Sequence, residues 1–252
     1  MDDKWSEVFV NGEYKPLTRL EVFDYYSNPH ISKKLIEEIK NNPVVLVQKY
    51  GDKFVIKRNE SKNGKKIEIK KSLGKLKNSL GYWTKRRTVE VHKTISEKTK
   101  EAIIDIDPEN VPMQVTKDIV HDIVKIFKND KLFGSGPVDI IYSGGRGFYI
   151  RKKIKNTDVT EARNTLKKEV IAPLLKTYKD LVVNKKPKSG EIRLDLSPMK
   201  RGGSYRAPFS INAATGLTAM PLSEREFSVF EPHMALPSKV IHKQHAIKNW
   251  RP

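Results

Sequence analysis

No cysteine occurs in the 252 residues. Disulfides, thiolate zinc sites and thiol redox chemistry are therefore excluded. Long apolar runs are missing too: no stretch approaches the roughly 20 apolar residues of a membrane span. The opening Met1-Asp-Asp-Lys-Trp-Ser6 has no apolar core of signal-peptide length. These absences lead us to expect an intracellular protein with no membrane partner. Internal repeats are lacking as well. Negative charge is in short supply, with 30 Asp and Glu against 49 Lys and Arg and a formal net charge of +19. A polyanion suits such a surface, because neutralising phosphates releases counterions and gives sequence-independent affinity. A merely solvated Lys-rich surface is the alternative, and the motifs have to decide.

What the chain does contain is organised around Glu101-Ala-Ile-Ile-Asp-Ile-Asp-Pro108, an apolar run ending in two carboxylates. In a strand, successive side chains point to opposite faces. Asp105 and Asp107 then share one face, and Ile104 and Ile106 enter the core. Such a pair can hold two divalent cations about 3.5–4 Å apart, the arrangement used for phosphoryl chemistry. Isolated Asp-x-Asp pairs are also common as solvated turn residues and local caps.

The rest of the chain frames that strand. Thr18, with Glu21 three residues on, predicts a capped helix over 18–28 whose apolar positions are Leu20, Phe23 and Tyr26. A second helix is expected over 31–41, capped by Ser32. Two β-rich runs around Gly51 read as a hairpin ending in Phe54-Val-Ile-Lys57. Residues 59–87 read as a basic hairpin or loop, in which Tyr82 and Trp83 either stack on bases or pack on the core. Thr88–His92 reads as a strand, and Val115, Ile119, Ile123 and Phe127 mark a helix. Val138–Tyr142 and Phe148–Arg151 are strands on either side of Ser143-Gly-Gly-Arg-Gly147. A helix over 158–181 should kink or split at Pro173, which lacks a backbone donor. Glu191–Asp195 is another strand ending in a carboxylate. This order of strands and helices predicts an α+β fold.

Three parts thus fall in sequence: Asp-x-Asp at a strand end, a glycine-rich bend with Ser143 and Arg146, and Asp195 before a basic loop. Metal-dependent phosphoryl transfer needs such parts: carboxylates for the ions, and amides, hydroxyl and guanidinium for a triphosphate. Carrying these parts, the chain from about residue 18 to 222 resembles the archaeo-eukaryotic primase superfamily. Within it, the polymerase domain of bacterial ligase D and related primase-polymerases are most similar, with a trait of the replicative primase small subunit. Arg19 stands where a lysine of the family's opening segment binds a 5′ phosphate. Phe54-Val-Ile-Lys57 is similar to a paired-phenylalanine-then-lysine stretch, and Val89-Glu-Val-His92 to the Glu-x-His strand. Arg201-Gly202, Ala207-Pro-Phe-Ser210, Gly216 and Pro221-Leu222 follow the ligase D spacing. Arg206, two before Pro208, is similar to the Arg-x-Pro-x-Ser of primase small subunits. Tyr149 departs from a family histidine, and Asn212 from an arginine. A cysteine-rich zinc module and the Lys-x-Asp-Gly nucleophile motif of ligases are absent, which makes the chain resemble a catalytic core without accessory modules.

The resemblance implies a two-lobed fold with an RNA-recognition-like (ferredoxin-like) catalytic sheet. It divides the chain into an N-terminal mixed lobe over about 1–95, a catalytic lobe over about 96–222 and a tail over 223–252. It implies template-directed addition of nucleotides to a 3′ hydroxyl, in priming or in end-joining gap filling. Asp105, Asp107 and Asp195 would hold two Mg2+ or Mn2+ ions, with no zinc. Ser143, Gly144, Arg146, Gly147, Tyr149, His92, Lys57, Lys200, Arg201 and Arg206 would meet the incoming nucleotide. Arg19, Phe54 and Trp83 would meet DNA. Expected partners are a DNA template and primer, nucleoside triphosphates, and ligase, end-joining or replication proteins at the nucleoid. A decayed nucleic-acid-binding protein and a metal-dependent nuclease are the other readings.

Overall fold

A computed structural model describes residues 4–10, 13–39, 42–51, 53–62, 65–68, 84–85 and 87–243. They form an α+β fold in two compact units. The first comprises residues 1–94, 205–221 and 230–252, and the second 95–204 and 222–229.

In the first unit, β1 (Lys4–Val10) and β2 (Glu13–Thr18) form a hairpin leading into α1 (Arg19–Ser27). The helix begins where expected, because Thr18 and Glu21 make a reciprocal capping box. Its buried face differs from the expected one. Leu20 is exposed, and Val22, Tyr25 and Tyr26 are buried. Two phenols can replace aliphatic side chains there because their hydroxyls have partners: Tyr25 donates to Phe209 O at 2.9 Å, and Tyr26 to Val89 O at 2.5 Å. The next helix, α2 (Pro29–Ile39), starts before Ser32, with Asn28 Oδ1 accepting from the His30 and Ile31 amides.

A central strand, β3 (Val44–Tyr50), pairs antiparallel with β4 (Lys53–Lys57) on one side and β7 (Thr88–Thr94) on the other. Residues 59–87 contribute a small hairpin of β5 (Asn59–Lys62) and β6 (Lys65–Glu68). Tyr82 and Trp83 lie outside the described residues.

The second unit is built on β8 (Lys98–Glu109), followed by α3 (Met113–Lys128), β9 (Val138–Tyr142), β10 (Phe148–Asp158), a helical segment, β11 (Val182–Val183) and β12 (Glu191–Asp195). The sheet runs in the order β11-β12-β8-β10-β9, with the short β14 (Met220–Leu222) next to β9; β13 (Ser204–Arg206) belongs to the sheet of β7. Leaving out the two-residue β11, the succession β8-α3-β9-β10-helix-β12 places the fourth strand beside the first and the first beside the third. All neighbours are antiparallel. This is the ferredoxin-like arrangement. Helices α3 and α4 (Val159–Leu166) pack on the face carrying Ala102, Ile104, Ile106, Phe148 and Ile150, all fully buried. Beyond α4, the expected disturbance by Pro173 takes the form of a π-turn over Lys167–Ile171, in which the Ala172 amide reaches back five residues to Lys167 O.

One boundary differs from the sequence reading. Residues 205–221, expected with the catalytic lobe, group with the first unit. The reason is backbone pairing across the sequence: Ala207 N donates to Val91 O at 2.9 Å, and Val91 N donates to Ser210 Oγ at 2.8 Å.

Candidate active site

Register assembles the carboxylates. Asp195 pairs with Asp105, Arg193 with Asp107 and Glu191 with Glu109 across β12 and β8, and Tyr149 pairs with Asp105 from β10. Side chains of directly opposed residues share a face. Asp105, Asp107, Glu109, Asp195, Arg193 and Tyr149 therefore project from the face opposite the helices. The alternation from residue 104 to 109, buried at even positions and half-buried at odd ones, records the same division.

Two guanidinium groups occupy this face. Arg193 Nη2 lies 3.5 Å from Asp107 Oδ2 and 3.0 Å from Asp195 Oδ2. Arg146 reaches from the bend to Asp107 Oδ1 at 3.5 Å and Glu109 Oε2 at 2.5 Å. Ser197 also holds Asp195, its amide donating to Oδ1 at 2.8 Å and its hydroxyl standing 2.5 Å from both carboxylate oxygens. Among the described residues, no three His, Asp or Glu side chains are drawn closely enough together to hold a metal ion as they stand. The donor set nevertheless fits a hard divalent cation: it is all oxygen, on one face, at adjacent strand positions, and the positive charge there is supplied by arginine.

The bend Ser143–Gly147 closes through the Ser143 amide donating to Gly147 O at 2.9 Å. Gly144 has a left-handed φ of 76°. At Gly147 a Cβ would fall 1.7 Å from Ile106 O, so only glycine lets β10 approach β8 there. Ser143 Oγ accepts from the Gly145 amide at 3.3 Å. Arg146 is half exposed, and Tyr149 is buried with Asp105 directly opposite it. Lys200 and Arg201 are exposed, and Arg201 pairs with Glu97 at 2.9 Å.

The remaining expected residues belong to the first unit. His92 Nε2 is 2.6 Å from Glu90 Oε2, Arg206 Nη2 is 3.0 Å from Glu90 Oε1, and the Ala213 amide donates to the same oxygen at 2.6 Å. Burial alone would raise the Glu90 carboxyl, but Arg206 and His92 outweigh it and carry its pKa down to about 2. Phe54 and Lys57 lie on β4, where Phe54, Val55 and Ile56 are exposed and Lys49 stands over the Phe54 ring. Arg19 is exposed and donates to Lys85 O at 2.6 Å.

Glu109 and Arg193 escaped the sequence reading, and Glu90 entered it only as the Glu of the Glu-x-His stretch, with no role of its own. Each sits two residues from a selected position, His92, Asp107 or Asp195, and the two-residue period of a strand would have put it on the same face. Ser197 escaped as well, and its signal, a serine two residues after a strand-end aspartate, is a common local turn.

Against known families, the chain matches the one described as LigD, primase-polymerase domain, over residues 18–248. No curated protein matches it. Among solved structures, it shares its fold with the polymerase domain of Mycobacterium tuberculosis ligase D in complex with DNA. The TM-score is 0.75 at 15% identity, covering 93% of each chain.

Proposed function

The chain belongs to the LigD primase-polymerase domain family, and from that premise we propose that it is a template-directed nucleotidyltransferase extending the 3′ hydroxyl of a primer on DNA. The observation that carries this reading is the register that sets Asp105 opposite Asp195, with Asp107 two residues along on the same face. Asp105, Asp107 and Asp195 would hold Mg2+ or Mn2+, with Asp195 nearer the primer hydroxyl. Such ions, when bound, lower the pKa of the attacking hydroxyl and neutralise charge on the transferring phosphoryl group.

The chain's own groups supply the rest. Ser143 and Arg146, in the bend after β9, offer a hydroxyl and a guanidinium to a triphosphate. Tyr149 offers a phenol in place of the family histidine. Glu90 fixes the orientation of the His92 ring, and Lys57, Lys200, Arg201 and Arg206 add positive charge toward nucleotide and template. Exposed Phe54 provides a stacking surface for a base. The net charge of +19 suits DNA, the ligand present in the solved mycobacterial relative. Gap filling beside a downstream 5′ phosphate would engage Arg19. No helix among the described residues is long and apolar enough to cross a membrane.

A labelled primer annealed to a longer template, incubated with nucleotides and Mg2+ or Mn2+, tests the proposal, and template-dependent lengthening is the expected result. Shortening without nucleotides would make the carboxylates hydrolytic. DNA binding without lengthening would select a non-catalytic binding protein, the reading that the departures at Tyr149 and Asn212 favour.

A further inference from the structure

We infer that Arg193 is a built-in counter-ion of the carboxylate face, holding Asp107 and Asp195 in the metal-free protein and withdrawing when a divalent cation binds; this rests on the reading of that face as a cation site. Arg193 lies opposite Asp107 in the β12–β8 register and two residues before Asp195 on its own strand. A side chain at that position can reach both carboxylates, and one nitrogen, Nη2, does so at 3.5 and 3.0 Å. Its Nε is buried with no hydrogen-bond partner. The guanidinium is therefore held toward the aspartates at the expense of another polar group, which is what charge attraction to the pair would produce.

A hard divalent cation draws on carboxylate oxygens as ligands. Two of them, Asp107 Oδ2 and Asp195 Oδ2, are the atoms that Arg193 contacts. With the guanidinium in place, an incoming cation would meet a like charge within a few ångströms and find these oxygens already engaged. Arg193 is about one-third exposed, so it can move into solvent without unfolding the sheet. Arg146, half exposed and bridging Asp107 to Glu109, is free to turn to a triphosphate by the same exchange. The two arginines differ in consequence: Arg193 touches both Asp107 and Asp195 and so sets the threshold for the cation.

Thermodynamic linkage makes the idea measurable. An internal cation that occupies the face stabilises the metal-free state and weakens metal binding through the same contacts. Mn2+ binding is measured by electron paramagnetic resonance on the wild type and Arg193→Gln, alongside thermal melting of each with and without Mn2+. The expected result is Mn2+ affinity roughly fivefold or more tighter in Arg193→Gln, the lower end of an ordinary coupling between sites. A lower melting temperature without metal and a larger rise with it should accompany that gain. Equal Mn2+ affinities would overturn the role of Arg193 and leave the carboxylate site standing. Absence of Mn2+ binding in both proteins would overturn both. Should Arg193→Gln not fold, the wild type carries the test through its Arg193 15Nε resonance during Mg2+ titration: a shift is expected, and a resonance unmoved at high Mg2+ would overturn the inference.

Discussion

Two clusters in this chain pair carboxylates with arginine, one in each unit, and they differ in their access to water. In the first unit, Glu90 is buried, accepts from Arg206 and the Ala213 amide, and has His92 against its other oxygen. In the second, Asp107 and Asp195 are half-buried and share Arg193, with Arg146 added from an exposed bend. The chemistry is alike. Burial of Glu90 makes the first pairing obligatory, because its carboxylate without Arg206 would be a poorly compensated charge in a poor dielectric. Partial exposure makes the second exchangeable, because water and incoming ions compete for the same oxygens. A fixed cluster can position a ring such as His92, and an exchangeable one suits the cation site proposed for it.

The largest difference between the clusters should appear in stability. Arg206→Ala leaves the buried Glu90 carboxylate without its guanidinium and is expected to cost about 3–5 kcal/mol in denaturant unfolding. Arg146→Ala, which breaks the half-exposed pairs with Asp107 and Glu109 at the second cluster, should cost no more than about 1 kcal/mol in the same measurement. Similar costs for the two would erase the distinction drawn from burial.

Acid sharpens the contrast. Glu90 has its pKa lowered from 4.5 to about 2. The unfolded chain therefore binds the proton first, and the stability that Glu90 contributes is full above about 4.5 and lost as pH falls toward about 2. The loss is on the order of 3 kcal/mol. Unfolding measured between those limits should show this decline in the wild type and a shallower one in Glu90→Gln; parallel declines would dissociate Glu90 from acid sensitivity.

A smaller effect concerns Tyr149, buried opposite Asp105 on the carboxylate face. If its hydroxyl donates to a nucleotide phosphate, Tyr149→Phe should weaken nucleotide KM by roughly 0.5–1.5 kcal/mol, the net value of one hydrogen bond. Tyr149→His should hold or improve it, because a protonated imidazole makes a stronger, charge-assisted bond. A silent Tyr149→Phe would reduce the ring to a packing element.

Features with short sequence range were legible and those with long range were not. Alternation around Asp105 and Asp107, the glycine bend, the strand ending at Asp195 and the Thr18–Glu21 cap follow from local periods and local hydrogen bonds. The resemblance to the primase-polymerase family rested on these same residues, and the family match and the ferredoxin-like sheet bear it out. By contrast, Glu90 with Arg206 and Ala213 joins residues more than 100 positions apart, and no periodicity announces such pairings. The return of residues 205–221 to the first unit is hidden for the same reason. Arg193 was overlooked for another cause: a basic residue beside acidic ones reads as solvated until the register shows what it faces.

Incorporation by the wild type beside Asp107→Ala and Asp195→Ala, on one primed template with Mn2+, tests the central claim most directly. The carboxylate face predicts extension by the wild type and its loss in both variants, with the circular dichroism spectrum and DNA affinity of both variants close to those of the wild type. Extension by either variant at the wild-type rate would contradict the assignment.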